Sequence, residues 1–316
     1  MITEIALQDF RGFRSLELSG LKRVNLIVGH NSSGKTSLLE AIVLLCGSLN
    51  FGELPKTFRP SQGNPDTRFF GWLLRDGTSG GQGSLRYNTT RGSNTVIFGD
   101  PKAALKAKQG EFQHIYGGAR IAVWRHSQGA TLRCRIIPVQ HRDPNTLVSF
   151  VGSAQRKKGL ETLERLLGVV DPRITAVRVD PGDDGNQVIV DIGLSEMVPL
   201  SQAGQGVFRL LTILSDIIGE NPEVLAIDEI ENGLHHSVHE QVWRGLAEIA
   251  SQLNVQIFAT THSGECLQAA HRAFSSRKEY DFGVIQLFRV ESGVQGRLLD
   301  KKHIEAALAG DIELRD

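Results

Sequence analysis

The sequence predicts an α/β fold with a parallel core sheet, an N-terminal antiparallel β portion and a mainly β and loop insertion. Three observations carry this. A buried-strand run, Arg23–Val28, ends at a glycine and leads straight into a helical pattern. Strands and helices then alternate from Gln187 to Thr260, the pattern of parallel βαβ units. Between these regions the chain turns rich in Gly, Ser, Asn, Thr and Pro.

Taken in order, Ile2–Phe10 and Ser15–Leu18 alternate like short strands, and Arg23–Val28 reads as buried on both faces. Lys35–Cys46 places Leu38, Leu39, Ile42, Leu45 and Cys46 at helical spacing. Residues 47–144 are expected to form an insertion or lobe, with strand-like pieces at Ser84–Tyr87 and Thr95–Phe98. A hairpin from Ala119–Trp124 to Thr131–Val139 would turn near Ser127-Gln128-Gly129. No heptads extend it into a coiled-coil arm. Residues 1–46 and 145–316 would form the main domain. Within the latter, helices are expected at Gly159–Leu167, Val207–Ile218 and Val238–Ser251, and strands at Gln187–Ile192, Val224–Ile227 and Val255–Thr260. The tail adds strands at Val284–Val290 and Gly296–Leu299 and a short helix near His303–Leu308.

A chain of 316 residues with 40% hydrophobic and 22% charged residues can bury a large core, which excludes wholesale disorder. No apolar run approaches the roughly 18 residues of a membrane span. Met1-Ile2-Thr3-Glu4-Ile5 does not open like a secretory signal. Cys46, Cys134 and Cys266 lack metal-ligand or CxxC spacing, so free, buried thiols in a reducing cytoplasm are expected. The net charge of +0 hides an asymmetry: residues 51–160 carry 17 Lys and Arg against 6 Asp and Glu. A basic middle segment can serve as a footprint for nucleic acid or for an acidic partner.

Four motifs carry chemistry. Gly29-His30-Asn31-Ser32-Ser33-Gly34-Lys35-Thr36 fits GxxxxGK[ST] between a buried strand and a helix, the context a phosphate-binding loop requires. Its glycines let backbone N–H groups turn toward phosphates, aided by the helix N-terminus. Lys35 would reach the β- and γ-phosphates of ATP, and Thr36 would offer a hydroxyl to Mg2+. Val224–Ile227 ends in Asp228 and Glu229: the first can hold the Mg2+ shell, the second can orient and deprotonate water. Val255–Thr260 ends in Thr261-His262-Ser263, one βαβ unit later, which places His262 beside the γ-phosphate. Leu200-Ser201-Gln202-Ala203-Gly204-Gln205-Gly206 opens a helix with small residues and a hydroxyl, a second anion site that needs a second phosphate.

In this order the motifs resemble the ABC-type ATPases. The wording Val24–Ala41, Ile227-Asp228-Glu229-Ile230-Glu231-Asn232-Gly233-Leu234-His235 and Phe258–Ser263 looks like the ATPase domain of the OLD (overcoming lysogenization defect) family, relatives of RecF and SMC-type ATPases. The resemblance implies an ABC-like P-loop fold and an ATP-dependent, head-to-tail homodimer that sandwiches two nucleotides. Asn31, Ser32, Ser33 and Ser37 would join the glycines, Lys35 and Thr36 around ATP. Ser201, Gly204 and Gly206 would act on the partner's nucleotide, Asn232–His235 would be the D-loop, and His262 the switch histidine. Arg11, in Asp9-Phe10-Arg11-Gly12-Phe13-Arg14, matches a basic residue that such ATPases place near the nucleotide. Gln155 is the candidate Q-loop glutamine, with Gln140 as the alternative.

The sequence departs from this pattern in two places. Leu200–Gly206 is a loose version of the LSGGQ signature, with one added residue. OLD nucleases also carry a toprim nuclease domain after the ATPase, whereas only about fifty residues follow His262 here and no acidic DxD pair appears. The chain is therefore expected not to cut DNA itself. Three functions remain open: an ATPase controlling a separately encoded effector such as a toprim-type nuclease in phage defence, a DNA repair or loading ATPase acting on DNA directly, and a slow nucleotide-gated scaffold. A transporter subunit fits worst, because the transporter signature is missing.

Overall fold

The apolar runs assemble into a mostly parallel sheet, and the alternating segments into an antiparallel one, with the phosphate-loop helix between them. A computed structural model of the chain describes residues 1–47, 57, 82–99, 111–115, 121–129, 131–139, 144–182 and 185–310.

The antiparallel sheet begins with β1 (Ile2–Phe10) and β2 (Phe13–Ser19) and continues through β4 (Gln82–Thr89), β5 (Gly92–Gly99), β6 (Glu111–Ile115) and β7 (Ile121–Gln128). Its strand order is β2-β1-β4-β5-β7-β6. The core sheet holds β3 (Val24–Val28), β8 (Cys134–Ile137), β12 (Val224–Ile227), β13 (Gln256–Thr260), β14 (Phe282–Val290) and β15 (Gly293–Leu299). Its order is β15-β14-β3-β13-β12-β8, and only β15 runs antiparallel to its neighbour. A third sheet, β11-β10-β9, comprises β9 (Ala176–Gly182), β10 (Gly185–Asp191) and β11 (Val198–Pro199).

Side chains along the core strands alternate between two hydrophobic clusters, because successive residues of a strand point to opposite faces. Leu225, Ile227, Ile257 and Ala259 enter one cluster, Val224, Ala226 and Phe258 the other. The second cluster is filled by α1 (Lys35–Leu45) and the antiparallel sheet. Leu38, Leu39, Ala41, Ile42, Val43, Leu44 and Leu45 leave α1 apolar nearly all round, as a helix buried between two sheets must be. The first cluster is covered by α4 (Gln205–Glu220), α5 (His239–Gln252) and α6 (Gly264–Ser275), together with α2 (Pro144–Arg156) and α3 (Leu160–Val170). A final helix, α7 (Lys301–Ala309), starts at Asp300, whose side chain accepts from His303 N–H.

The described strands within 47–144 join both of the larger sheets. β4 pairs with β1, and β8 pairs in parallel with β12 inside the core sheet. Among the described residues the predicted hairpin does not form: β7 pairs with β5 and β6, while β8 belongs to the other sheet. Adjacency in sequence suggests pairing only as a tendency, and here a four-residue run found a closer match beside the buried β12. All three cysteines are buried and none is in a disulfide. No helix among the described residues is long and apolar enough to cross a membrane.

Candidate nucleotide-binding site

The carboxyl ends of β3, β13 and β12 lie side by side, so parallel pairing alone brings three of the four motifs together. At the end of β3 the loop turns through Gly29 (φ 145), Ser32 (φ 63) and Gly34 (φ 95) into α1. A Cβ on Gly29 would stand 2.3 Å from the Leu287 carbonyl oxygen and 2.6 Å from Ser33 Oγ, so the loop closes onto β14 only because it carries none. Gly34 combines its left-handed backbone with Phe13 Cζ at 3.0 Å from where a Cβ would sit. Gly34→Ala is expected to lower stability by about 1–2 kcal/mol, read as a lower melting temperature. An unchanged melting temperature would show that Phe13 yields freely.

Lys35 is buried, and its ammonium donates to the Gly29 and His30 carbonyls at 2.6 and 2.8 Å. Burial pulls its pKa down to about 8, against the opposing pull of Asp228, Glu229 and Glu231. Thr36 Oγ1 lies 3.4 Å from both carboxylate oxygens of Asp228. Ser33 Oγ is buried without a hydrogen-bond partner, and Gly34 offers no side chain to cap α1. An unmet buried hydroxyl and an uncapped helix start suit a bound phosphate. Hard oxygens from Thr36 and Asp228 facing each other suit Mg2+. Asn31 and Ser32 form the exposed rim, and Ser37 is buried in the first turn of α1.

Asp228 is buried, and Thr260 Oγ1 donates to its Oδ1 at 2.7 Å while accepting from Glu229 N–H at 2.8 Å. Glu229 adopts φ 48, and its Oε1 lies 3.5 Å from His262 Nε2, both side chains being partly exposed. The candidate base and the candidate switch histidine thus lie side by side.

Ser201 and Gly204 are exposed just ahead of and at the start of α4, while Gly206 packs where a Cβ would meet the Gly233 carbonyl at 2.9 Å. The signature segment therefore rests on the D-loop candidate. Arg11 forks onto Glu40 of α1, with Nε–Oε2 at 3.0 Å, and its side chain is 8% exposed. It braces the phosphate-loop helix.

Gln155 is the one candidate the fold sends elsewhere. It is exposed near the end of α2, where Ser153 and Lys157 bond the Gly219 carbonyl at the far end of α4. The start of α4 faces the site, and at roughly 1.5 Å per residue the far end lies some 20 Å away. β8 ends beside the site, its Ile137 pairing with Ile227 directly before Asp228. Gln140, the alternative, comes three residues later but lies outside the described residues.

Sequence reasoning missed four contributors. Thr260 links Asp228 to Glu229, Glu231 Oε1 accepts from His262 N–H at 2.7 Å, Arg289 donates to the Ser32 carbonyl, and Arg209 reaches the main chain behind Glu229. Only Thr260 carried a local signal, a hydroxyl at a strand tip beside His262. The other three depend on contacts distant in sequence.

Comparison with solved structures decides the fold. The Smc head domain from Pyrococcus furiosus superimposes with a TM-score of 0.60 at 9% identity, covering 99% of each chain. The SMC head domain from Thermotoga maritima gives 0.52 at 14% identity, covering 95% of this chain and 99% of its own. The fold is that of an SMC ATPase head. Residues 1–112 match the model "AAA ATPase domain", and residues 120–266 match "AAA domain, putative AbiEii toxin, Type IV TA system". An "ATP/GTP phosphatase" of Helicobacter pylori is 22% identical over 89% of this chain and 90% of its own length. RecF of Idiomarina loihiensis is 42% identical over 51% of this chain, a match spanning only 37% of that protein. The chain is thus similar to P-loop ATPases of the RecF and SMC type, and none of these matches singles out the OLD family.

Proposed function

We propose that the chain binds ATP with Mg2+ and hydrolyses it as a head-to-tail dimer, and that this cycle controls a separate effector in phage defence or DNA maintenance. One observation carries the hydrolysis reading: Lys35, Thr36, Asp228, Glu229 and His262 converge at the ends of three adjacent strands. Thr36 and Asp228 would hold the metal, whose charge offsets that of the phosphates. Lys35 and the N–H groups of the loop bind phosphate oxygens. Glu229 takes the proton of the attacking water, and the imidazole of His262 hydrogen-bonds beside it.

The dimer reading is supported by the exposure of Ser201 and Gly204 at the opening of α4, where a second chain's phosphate could meet them. The effector reading is supported by the toxin–antitoxin wording of one matching family model. Light scattering with and without Mg–ATP tests the sandwich, and phosphate release tests hydrolysis. A monomer under both conditions would sink the first, and absence of Mg-dependent phosphate release the second.

A second reading, direct action on DNA, is favoured by the basic balance of residues 51–160 and by the similarity to a protein named for DNA replication and repair. Arg156, Lys157 and Lys158 are exposed together at the end of α2. If they contact phosphates, neutralising all three lowers the salt slope of DNA binding by up to about 3, at ~0.9 per contact. An unchanged slope in the triple variant removes them from the interface.

A further inference from the structure

Arg209 sits in the second turn of α4 at 3% exposure, and a buried charge needs polar partners to offset its desolvation. Among its partners are three main-chain carbonyls. Nη1 donates to Pro138 at 2.6 Å, and Nη2 donates to Asp228 and, at 3.1 Å, to Glu229. These carbonyls stand at the ends of β8 and β12, where the chain leaves the sheet with Glu229 at φ 48. A left-handed non-glycine residue is strained and persists only where its surroundings fix it. Here the Glu229 N–H is held by Thr260 Oγ1, and its carbonyl by Arg209 and by Asn232 N–H at 3.0 Å. The planar guanidinium spans both strand ends at once, a geometry a single ammonium cannot match.

We infer that Arg209 is a positioning residue for hydrolysis, fixing the backbone of Glu229 so that its carboxylate projects toward His262 and the phosphate loop. This rests on the reading of Glu229 as the base. The same helix opens at the exposed signature segment, only about one helical turn from Arg209. A phosphate gripped at Ser201 and Gly204 would therefore bear on the main chain carrying Glu229, through one rigid helix and one guanidinium.

The test compares Arg209→Met and Arg209→Lys, each in the wild-type and the Glu229→Gln backgrounds, measuring ATP turnover and Mg–ATP affinity separately. Arg209→Met is expected to lower turnover by about 10–100-fold, the range for groups that orient a reacting residue, with affinity changed less than about threefold. Arg209→Lys should recover part of the loss. In the Glu229→Gln background the Met substitution should cost little more, because residues acting through one another are not additive. Equal losses in both backgrounds, or affinity falling in step with turnover, would overturn the inference. Wild-type protein that releases no phosphate overturns the hydrolysis reading instead, so the two failures are distinguishable.

Discussion

Glu229→Gln is expected to lower ATP turnover by about 10²–10⁴-fold, the contribution of a positioned general base, while Mg–ATP stays bound. The amide keeps the shape of the side chain and loses only the ability to accept a proton. Lys35, Thr36 and Asp228 are untouched, and Asp228 keeps its bond from Thr260 Oγ1. Binding and closure should therefore proceed and stop before cleavage, leaving a long-lived ATP-bound dimer with twice the mass of the nucleotide-free chain. Turnover within a few-fold of wild type would remove Glu229 from the role of base. The same variant addresses the scaffold alternative: if closure alone does the biological work, Glu229→Gln retains activity in cells while Lys35→Met loses it.

What was legible in the sequence divides along one physical line. The phosphate loop, the Asp228-Glu229 pair and His262 could be read because each sits at the end of a buried strand, and a parallel sheet aligns such ends by construction. The helices α4 and α5 were legible from their apolar spacing. α2, β9 and α6 were not singled out; α6 announces itself only by the Ser263 cap, whose hydroxyl accepts from Cys266 N–H. β8 was misassigned to a hairpin because four residues cannot declare which sheet they join. The sequence reading likewise prefers Gln155 to Gln140 as the Q-loop candidate, although Gln140 comes three residues after β8. Glu231 and Arg209 were missed for another reason. Their importance lies in main-chain atoms they hold, and a side chain's backbone partners leave no periodic trace.

Lys35→Met is expected to weaken Mg–ATP binding by about 10²–10³-fold, since truncating one member of a buried, hydrogen-bonded charge contact costs about 2–5 kcal/mol. Its pH behaviour separates this loss from general damage. In the free protein, burial holds the Lys35 pKa near 8, below its ordinary 10.5. The folded chain thus binds fewer protons than the unfolded one between about pH 8 and 10.5. By this group alone, the free protein gains stability as pH rises through that window and carries the full burial penalty below it. ATP reverses the local balance: phosphate charges beside the ammonium favour its protonated form. Above about pH 8 binding must take up a proton, so the wild-type dissociation constant should be flat below that pH and rise by up to about tenfold per unit above it. The Met variant has no proton to take up, and its weaker binding should show no break near pH 8. A break of equal size in both proteins would assign the titration to another group and leave Lys35 as a structural ammonium pinning the loop through Gly29 and His30.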